Sequence, residues 1–271
     1  MDSVEQFIKK DGRNQCITGA ILFLFGAGSL MFFLASDGGT WLMLIYGAPA
    51  LGGGLYFIQS GWKDLVKAGS TADMTMDTDD DPVAFTSVPH EMYLGRGEDQ
   101  GARFFNMSGT PMGDILEKTT VMKKMAGSAL SLHLAHFPLP SVYQVQESGE
   151  TLYEIEKKGF ALRSKAYVKR GDGIYVAVME EKKDKKNKQT VFTYRQKEDV
   201  LYQTSGDPYI GKYSIKDNDG QTLVTLKKGA VPVGAADSLQ RMNGSVLEWE
   251  QREDIPYTLL IFLFFLEHRE Q

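Results

Sequence analysis

Two clusters of cations have the residue types and spacing to hold an anion. The run "EEKKDKKNKQ" carries Lys182, Lys183, Lys185, Lys186 and Lys188, and an earlier stretch carries Arg163, Lys165, Lys169 and Arg170. A lysine beside an anionic bilayer surface contributes about 1 kcal/mol. Arg163 and Lys165 stand two apart, so on a strand they share a face, and spaced cations on a sheet face suit a phosphate. The blander alternative for the lysine run is a solvated hairpin loop, because Glu180, Glu181 and Asp184 dilute its charge.

Other combinations carry less. "HLAHF" sets His133 and His136 three apart, on one face of a helix. A metal centre needs further ligands of defined geometry, and no cysteine or suitably spaced carboxylate accompanies them. Asp77, Asp79, Asp80 and Asp81 lack the glycine and distal glutamate of an EF-hand calcium loop. "GRGEDQG", Gly95 to Gly101, imitates a phosphate loop but is short and leads into a strand. There is no "GxxxxGK" followed by Ser or Thr, and no "GxSxG". Scattered serines, histidines and aspartates select no triad. No catalytic residue, metal or cofactor is assigned, and the chain is expected not to be an enzyme.

The elements that position these residues follow from composition and period. The 271 residues suit one large or two modest domains, and the net charge of -5 argues against nucleic acid as a partner. A single cysteine, Cys16, excludes an intramolecular disulfide. Residues 16–35, "CITGAILFLFGAGSLMFFLA", and 41–60, "WLMLIYGAPALGGGLYFIQS", are uncharged. Each has about the 20 residues a bilayer crossing needs. Trp41, Tyr56 and Trp62 lie near the ends of the second, where aromatic belts form. Gly26, Ala27, Gly28, Gly52, Gly53 and Gly54 would let the two helices approach closely. Lys9, Lys10, Arg13, Lys63 and Lys67 flank the pair, and only Asp37 lies in the turn. The positive-inside tendency then predicts an integral membrane protein with two spans and both termini cytoplasmic. Residues 1–15 form the cytoplasmic N-terminus, and 61–82 an acidic linker containing "STADMTMDTDDDP".

Beyond Arg103 the pattern has period two. In "FALRSKAYV", Phe160, Leu162, Ser164, Ala166 and Val168 fall on one side, and Arg163, Lys165 and Tyr167 on the other. "YIGKYSI" alternates too, and "TLYEIE", "IYVAVME", "TVFTYR" and "TLVTLK" read as further strands. "ESGE", "KRGDG", "TSGDP" and "KDNDG" supply the turns between them. The whole argues for antiparallel hairpins closing into a sandwich or barrel.

One phrase recurs loosely: a strand, a polar glycine turn, and a returning strand ending near a lysine. It occurs in "FFNMSGTPMGDILEK", "YQVQESGETLYEIEKKG" and "YSIKDNDGQTLVTLKKG". From about Phe85 to Gln271 the chain resembles the tubby-like superfamily, which joins tubby C-terminal domains, phospholipid scramblases and LURP-one-related proteins. The resemblance implies a mainly-β domain over 83–271, an antiparallel barrel of about 12 strands around a C-terminal hydrophobic helix. That suits "IPYTLLIFLFFLEHREQ": its apolar run is short for a span, sharply bounded by charge, and apolar on all faces, as a helix inside a sheet should be. The central helix is expected at about 256–266, with a buried strand or a membrane contact as alternatives. The resemblance also implies a membrane-anchored module that binds lipid headgroups, a small apolar ligand or a protein partner. A scramblase-type lipid mover or a scaffold for a membrane complex is the alternative. Scramblase-type members are tied to membranes by lipidated cysteines, and this chain has no cysteine cluster, so their activity does not carry over.

Overall fold

The computed structural model describes residues 4–36, 41–70, 81–96, 101–118, 141–147, 149–158, 164–184, 189–196, 199–206, 211–229, 235–240 and 242–268. The chain divides into two compact units, Met1–Thr75 and Met76–Gln271.

The first unit is a helical hairpin of α1 (Val4–Ala35) and α2 (Trp41–Ser70). Both are long and apolar enough to cross a membrane. α1 starts well before its apolar run and takes in Lys9, Lys10 and Arg13. The two helices meet along glycines. A Cβ at Gly12 would lie 2.8 Å from the Gly61 carbonyl oxygen, one at Gly19 2.7 Å from that of Gly54, and one at Gly26 2.7 Å from that of Gly47. Each helix thus presents a glycine every seventh residue, a spacing that keeps one seam facing its partner. Of the small residues expected at the contact, Gly26 and Gly54 lie on it. Gly28, Gly52 and Gly53 do not, since a Cβ on any of them would meet nothing within 4 Å. The outer faces are apolar and exposed, as at Leu24, Phe25, Leu34 and Leu42.

The second unit contains fourteen strands among the described residues. β1 (Val83–Ser87) pairs with β14 (Glu253–Pro256) as a separate two-stranded ribbon. The other twelve are β2 (Glu91–Arg96), β3 (Ala102–Asn106), β4 (Pro111–Glu117), β5 (Ser141–Glu147), β6 (Glu150–Lys157), β7 (Lys165–Arg170), β8 (Tyr175–Lys183), β9 (Thr190–Gln196), β10 (Asp199–Ser205), β11 (Lys212–Lys216), β12 (Thr222–Lys228) and β13 (Gly244–Trp249). Each is antiparallel to the next, and β13 pairs back onto β2 with Leu247 opposite Met92, so the sheet closes into an up-and-down barrel. The three recurring phrases are the β3–β4, β5–β6 and β11–β12 hairpins. Their turns hold Gly109, Gly149 and Gly220 at φ of +83°, +87° and +82°, a region closed to most side chains. A short helix, α3 (Asp237–Gln240), precedes β13.

The alternation expected from sequence is seen in the core. Ala166, Val168, Tyr213 and Ile215 point inward, where they meet α4 (Tyr257–Glu267). Every residue of α4 from Thr258 to Glu267 is buried. The terminal apolar run is therefore a helix inside the barrel, and not a strand or a third span. Its rings interlock with the wall: Phe262 lies 6.1 Å from Tyr194, Phe264 4.7 Å from Tyr143 and Phe265 6.0 Å from Phe192. Phe262 and Phe265 approach their neighbours edge to face, the geometry aromatic rings favour.

Both ends of α4 are tied to the wall. At the N-terminal end, where Pro256 supplies no side-chain cap, the Asp81 carboxylate accepts hydrogen bonds from the hydroxyls of Thr258 and Tyr153. At the other end, Ser245 Oγ donates to the buried Glu267 carboxylate at 2.7 Å, and Lys157 Nζ reaches the His268 carbonyl. A cation at a helix C-terminus is favoured by the helix dipole. The His268 ring stacks on Phe264 at 4.2 Å and its Nε2 lies 3.2 Å from the Gly101 carbonyl oxygen. Gly101 belongs there because a Cβ would sit 2.1 Å from the Ile115 carbonyl.

Candidate functional site

The outer face of β6, β7, β8 and β9 brings cations together. The ladder sets Lys165 opposite Glu180, and Glu180 opposite Thr193. Lys158 extends the same row, donating its backbone N–H to the Lys165 carbonyl at 2.9 Å. The row two residues away reads Glu156, Tyr167, Val178 and Arg195. Neighbouring strands are about 4.8 Å apart, so each row of four spans roughly 15 Å. Lys182, two residues beyond Glu180 on the same strand face, completes the group.

Glu180 is the hub. Its Oε1 lies 2.5 Å from Lys182 Nζ and 3.8 Å from the Arg195 guanidinium. Tyr167 is the floor, with Lys158 Nζ 5.0 Å and Lys165 Nζ 5.6 Å from its ring centroid. The π-cloud of an aromatic ring attracts ammonium groups at such distances. The Tyr175 ring meets Tyr167 edge to face, and its hydroxyl donates to Glu156 at 2.9 Å. Four cations therefore share one face with two carboxylates. Such an arrangement can take up an anionic oxygen group by exchanging carboxylate contacts for phosphate ones.

The residues singled out from sequence do not all gather there. Lys165 and Lys182 do. Lys183 has the opposite parity on β8, opposite Thr190. Lys169 and Arg170 lie at the far end of β7. Lys169 Nζ is 2.5 Å from Glu154 Oε2, and Arg170 is clasped by Asp172 in the β7–β8 turn. Arg163, Lys185, Lys186 and Lys188 lie outside the described residues, as do His133, His136, Asp77, Asp79 and Asp80. Among the described residues no group of histidine, cysteine and carboxylate side chains could hold a metal.

Sequence reasoning missed Lys158, Tyr167 as a platform, and Arg195. The signal for Arg195 was its place two residues after Thr193 in "TVFTYR", on the polar phase of a strand already recognised. Lys158 had none, because its role depends on the pairing of β6 with β7 continuing one residue past the end of β6.

Glu154 anchors a second ionic group beside this face. Burial would raise its carboxyl, but hydrogen bonds from Lys118, Lys169 and Gln144 outweigh that and hold it at about 2. Inside the barrel, burial and the neighbouring carboxylate raise the Tyr153 hydroxyl, and burial pushes Tyr202 up to about 12.

Twelve antiparallel strands close in sequence order around a C-terminal helix, in a chain that also carries two N-terminal apolar helices long enough to cross a membrane. No family model matches the chain, and no curated protein matches it. Among solved structures the chain is similar to an X-ray structure of a protein from Arabidopsis thaliana, at 10% identity and a TM-score of 0.37, over 67% of this chain and 91% of that one.

Proposed function

We propose that the chain is a membrane-anchored tubby-like module that binds anionic phosphate headgroups through the outer face of β6–β9, without catalysis. The single observation that supports it is the convergence of Lys158, Lys165, Lys182 and Arg195 around Glu180 and Tyr167. The apolar outer faces of α1 and α2 support an integral membrane position, because a bilayer covers such surfaces. Lysine and arginine at the outer ends of the helix pair, against a lone aspartate in the sequence between them, support cytoplasmic termini on the positive-inside tendency. On that topology the barrel is on the side of the membrane where anionic lipids concentrate.

The test uses the full chain in maltoside detergent, titrated with a soluble inositol polyphosphate and with short-chain phosphatidylserine. Saturable binding is expected, and Lys165→Glu with Arg195→Glu is expected to weaken it about thirtyfold, from roughly 1 kcal/mol per cation lost. Binding that ignores both substitutions overturns the assignment. Capture of a protein partner that survives both charge reversals would point to the scaffold role.

A further inference from the structure

The barrel wall has a second feature, at the seam between β4 and β5. These strands pair at Glu117–Tyr143, Leu116–Gln144 and Ile115–Val145, and the paired register ends at Ile115–Val145. Past that point the strands border a recess of about 120 Å³ reaching the N-terminal turn of α4. Phe85, Phe104 and Leu260 make its apolar lining, Tyr257 adds a third ring, and Asp114 and Glu147 carry its negative charge. Phe85 and Phe104 stand edge to face with centroids 6.4 Å apart. Gly113 opens the space: a Cβ there would meet the Phe85 ring at 3.2 Å. The Tyr257 hydroxyl hydrogen-bonds Glu147, and Arg103 pairs with Asp114 at 3.1 Å, so both carboxylates are held in place.

Size and chemistry narrow the guest. Apolar cavities of about 150 Å³ hold a benzene-sized molecule, so this recess suits a compact group and not an acyl chain. The Glu147 carboxylate opposes an anion, while Arg103 offsets the charge of Asp114. A primary ammonium is strongly hydrated and loses that hydration among rings, whereas a methylated ammonium is bulky, weakly hydrated and attracted to aromatic faces. We infer that the recess binds a quaternary ammonium of the choline type, methyl groups against Phe85, Phe104 and Tyr257, charge beside Glu147 and Asp114. The site lies apart from the basic face, so each assignment stands or falls separately.

The experiment is calorimetric titration of the full chain in maltoside detergent with choline, with 3,3-dimethylbutan-1-ol, its neutral carbon isostere, and with dihexanoyl phosphatidylcholine. Saturable binding of choline without binding of the isostere is the expected result. Glu147→Gln and Phe85→Leu should each weaken choline binding roughly five- to tenfold. Glu147 is exposed, so its variant keeps the test sound if the Phe85 variant fails to fold. Binding of the lipid but not free choline assigns the ammonium to a headgroup, and the reverse assigns it to a soluble ligand. Equal binding of choline and its isostere, or binding of none of the three ligands, overturns the inference.

Discussion

The Asp81 carboxylate accepts a hydrogen bond from the Thr258 hydroxyl, 177 residues further along the chain. Asp81 thereby caps a helix to which it is not contiguous, and Tyr153 on β6 holds its other oxygen at 2.8 Å. The next residue, Pro82, accepts the Tyr257 backbone N–H at 3.2 Å. The segment entering the barrel is thus part of what fixes the central helix.

Asp81→Ala is expected to destabilise the barrel by about 1–3 kcal/mol, because it strands the Tyr153 and Thr258 donors. Asp81→Asn should lose less, since an amide oxygen still accepts. Burial raises the Asp81 carboxyl against the lowering effect of its hydrogen bonds with Thr258 and Tyr153. Folding then favours the protonated form. The Asp81 contribution is fullest below the ordinary value of 3.8 and declines as pH rises through the raised value. Denaturant melts of wild type and Asp81→Asn across pH measure this, and a difference that grows with pH would refute it.

Glu154 carries the opposite sign. Its carboxyl is held at about 2 against an ordinary 4.5, so its contribution is complete above 4.5 and disappears as pH falls towards 2. Thermal melts between those values should show the wild type losing stability faster than Glu154→Gln. Parallel acid limbs would dismiss the Lys118–Glu154–Lys169 cluster as a stabilising group.

A chain cut after Asp254 should not fold. Eight large apolar side chains of α4, Leu259 to Leu266, are buried in the barrel. At roughly 1.5–3 kcal/mol each, their loss amounts to about 12 kcal/mol or more, comparable to the whole stability of a domain. Phe262→Ala alone should cost about 3–5 kcal/mol. Circular dichroism and limited proteolysis distinguish the outcomes, and a protease-resistant truncated barrel would contradict the central role of α4.

What was legible in the sequence divides along local and distant relations. The meander was visible because each hairpin carries its own alternation and its own glycine turn, as in Tyr213 to Gly229. The terminal helix was visible because eight consecutive apolar residues leave no solvent face. Closure of β13 onto β2 was not readable, since nothing near Leu247 names Met92 as its partner. The Asp81–Thr258 bond was hidden for the same reason, and Asp81 resembled its acidic neighbours. The basic face was half readable: Lys165 and Lys182 stood out by type, but only strand phase and pairing separate Lys182 from Lys183 or bring in Arg195.

Gly19→Leu or Gly54→Leu should drive α1 and α2 apart, because the new side chain meets backbone within 3 Å. Gly28→Leu and Gly52→Leu, where a Cβ meets nothing within 4 Å, should leave the pair intact. Crosslinking between single cysteines placed at positions 15 and 58, in the full chain with Cys16→Ser, reads the approach. Equal crosslinking in all four variants would deny that the glycines set the contact.

The glycine pairs obey a rule of their own: 12 with 61, 19 with 54, and 26 with 47 each add to the same total. The hairpin reads alike from either end, as a zipper whose teeth are missing side chains. Such a device is indifferent to which apolar residues occupy the remaining positions but intolerant of any change in count. Deleting one residue between Gly19 and Gly26 turns the rest of α1 by about 100° and takes its last tooth off the seam. Chain length within these helices is therefore the quantity under constraint, more than the identity of most of their residues.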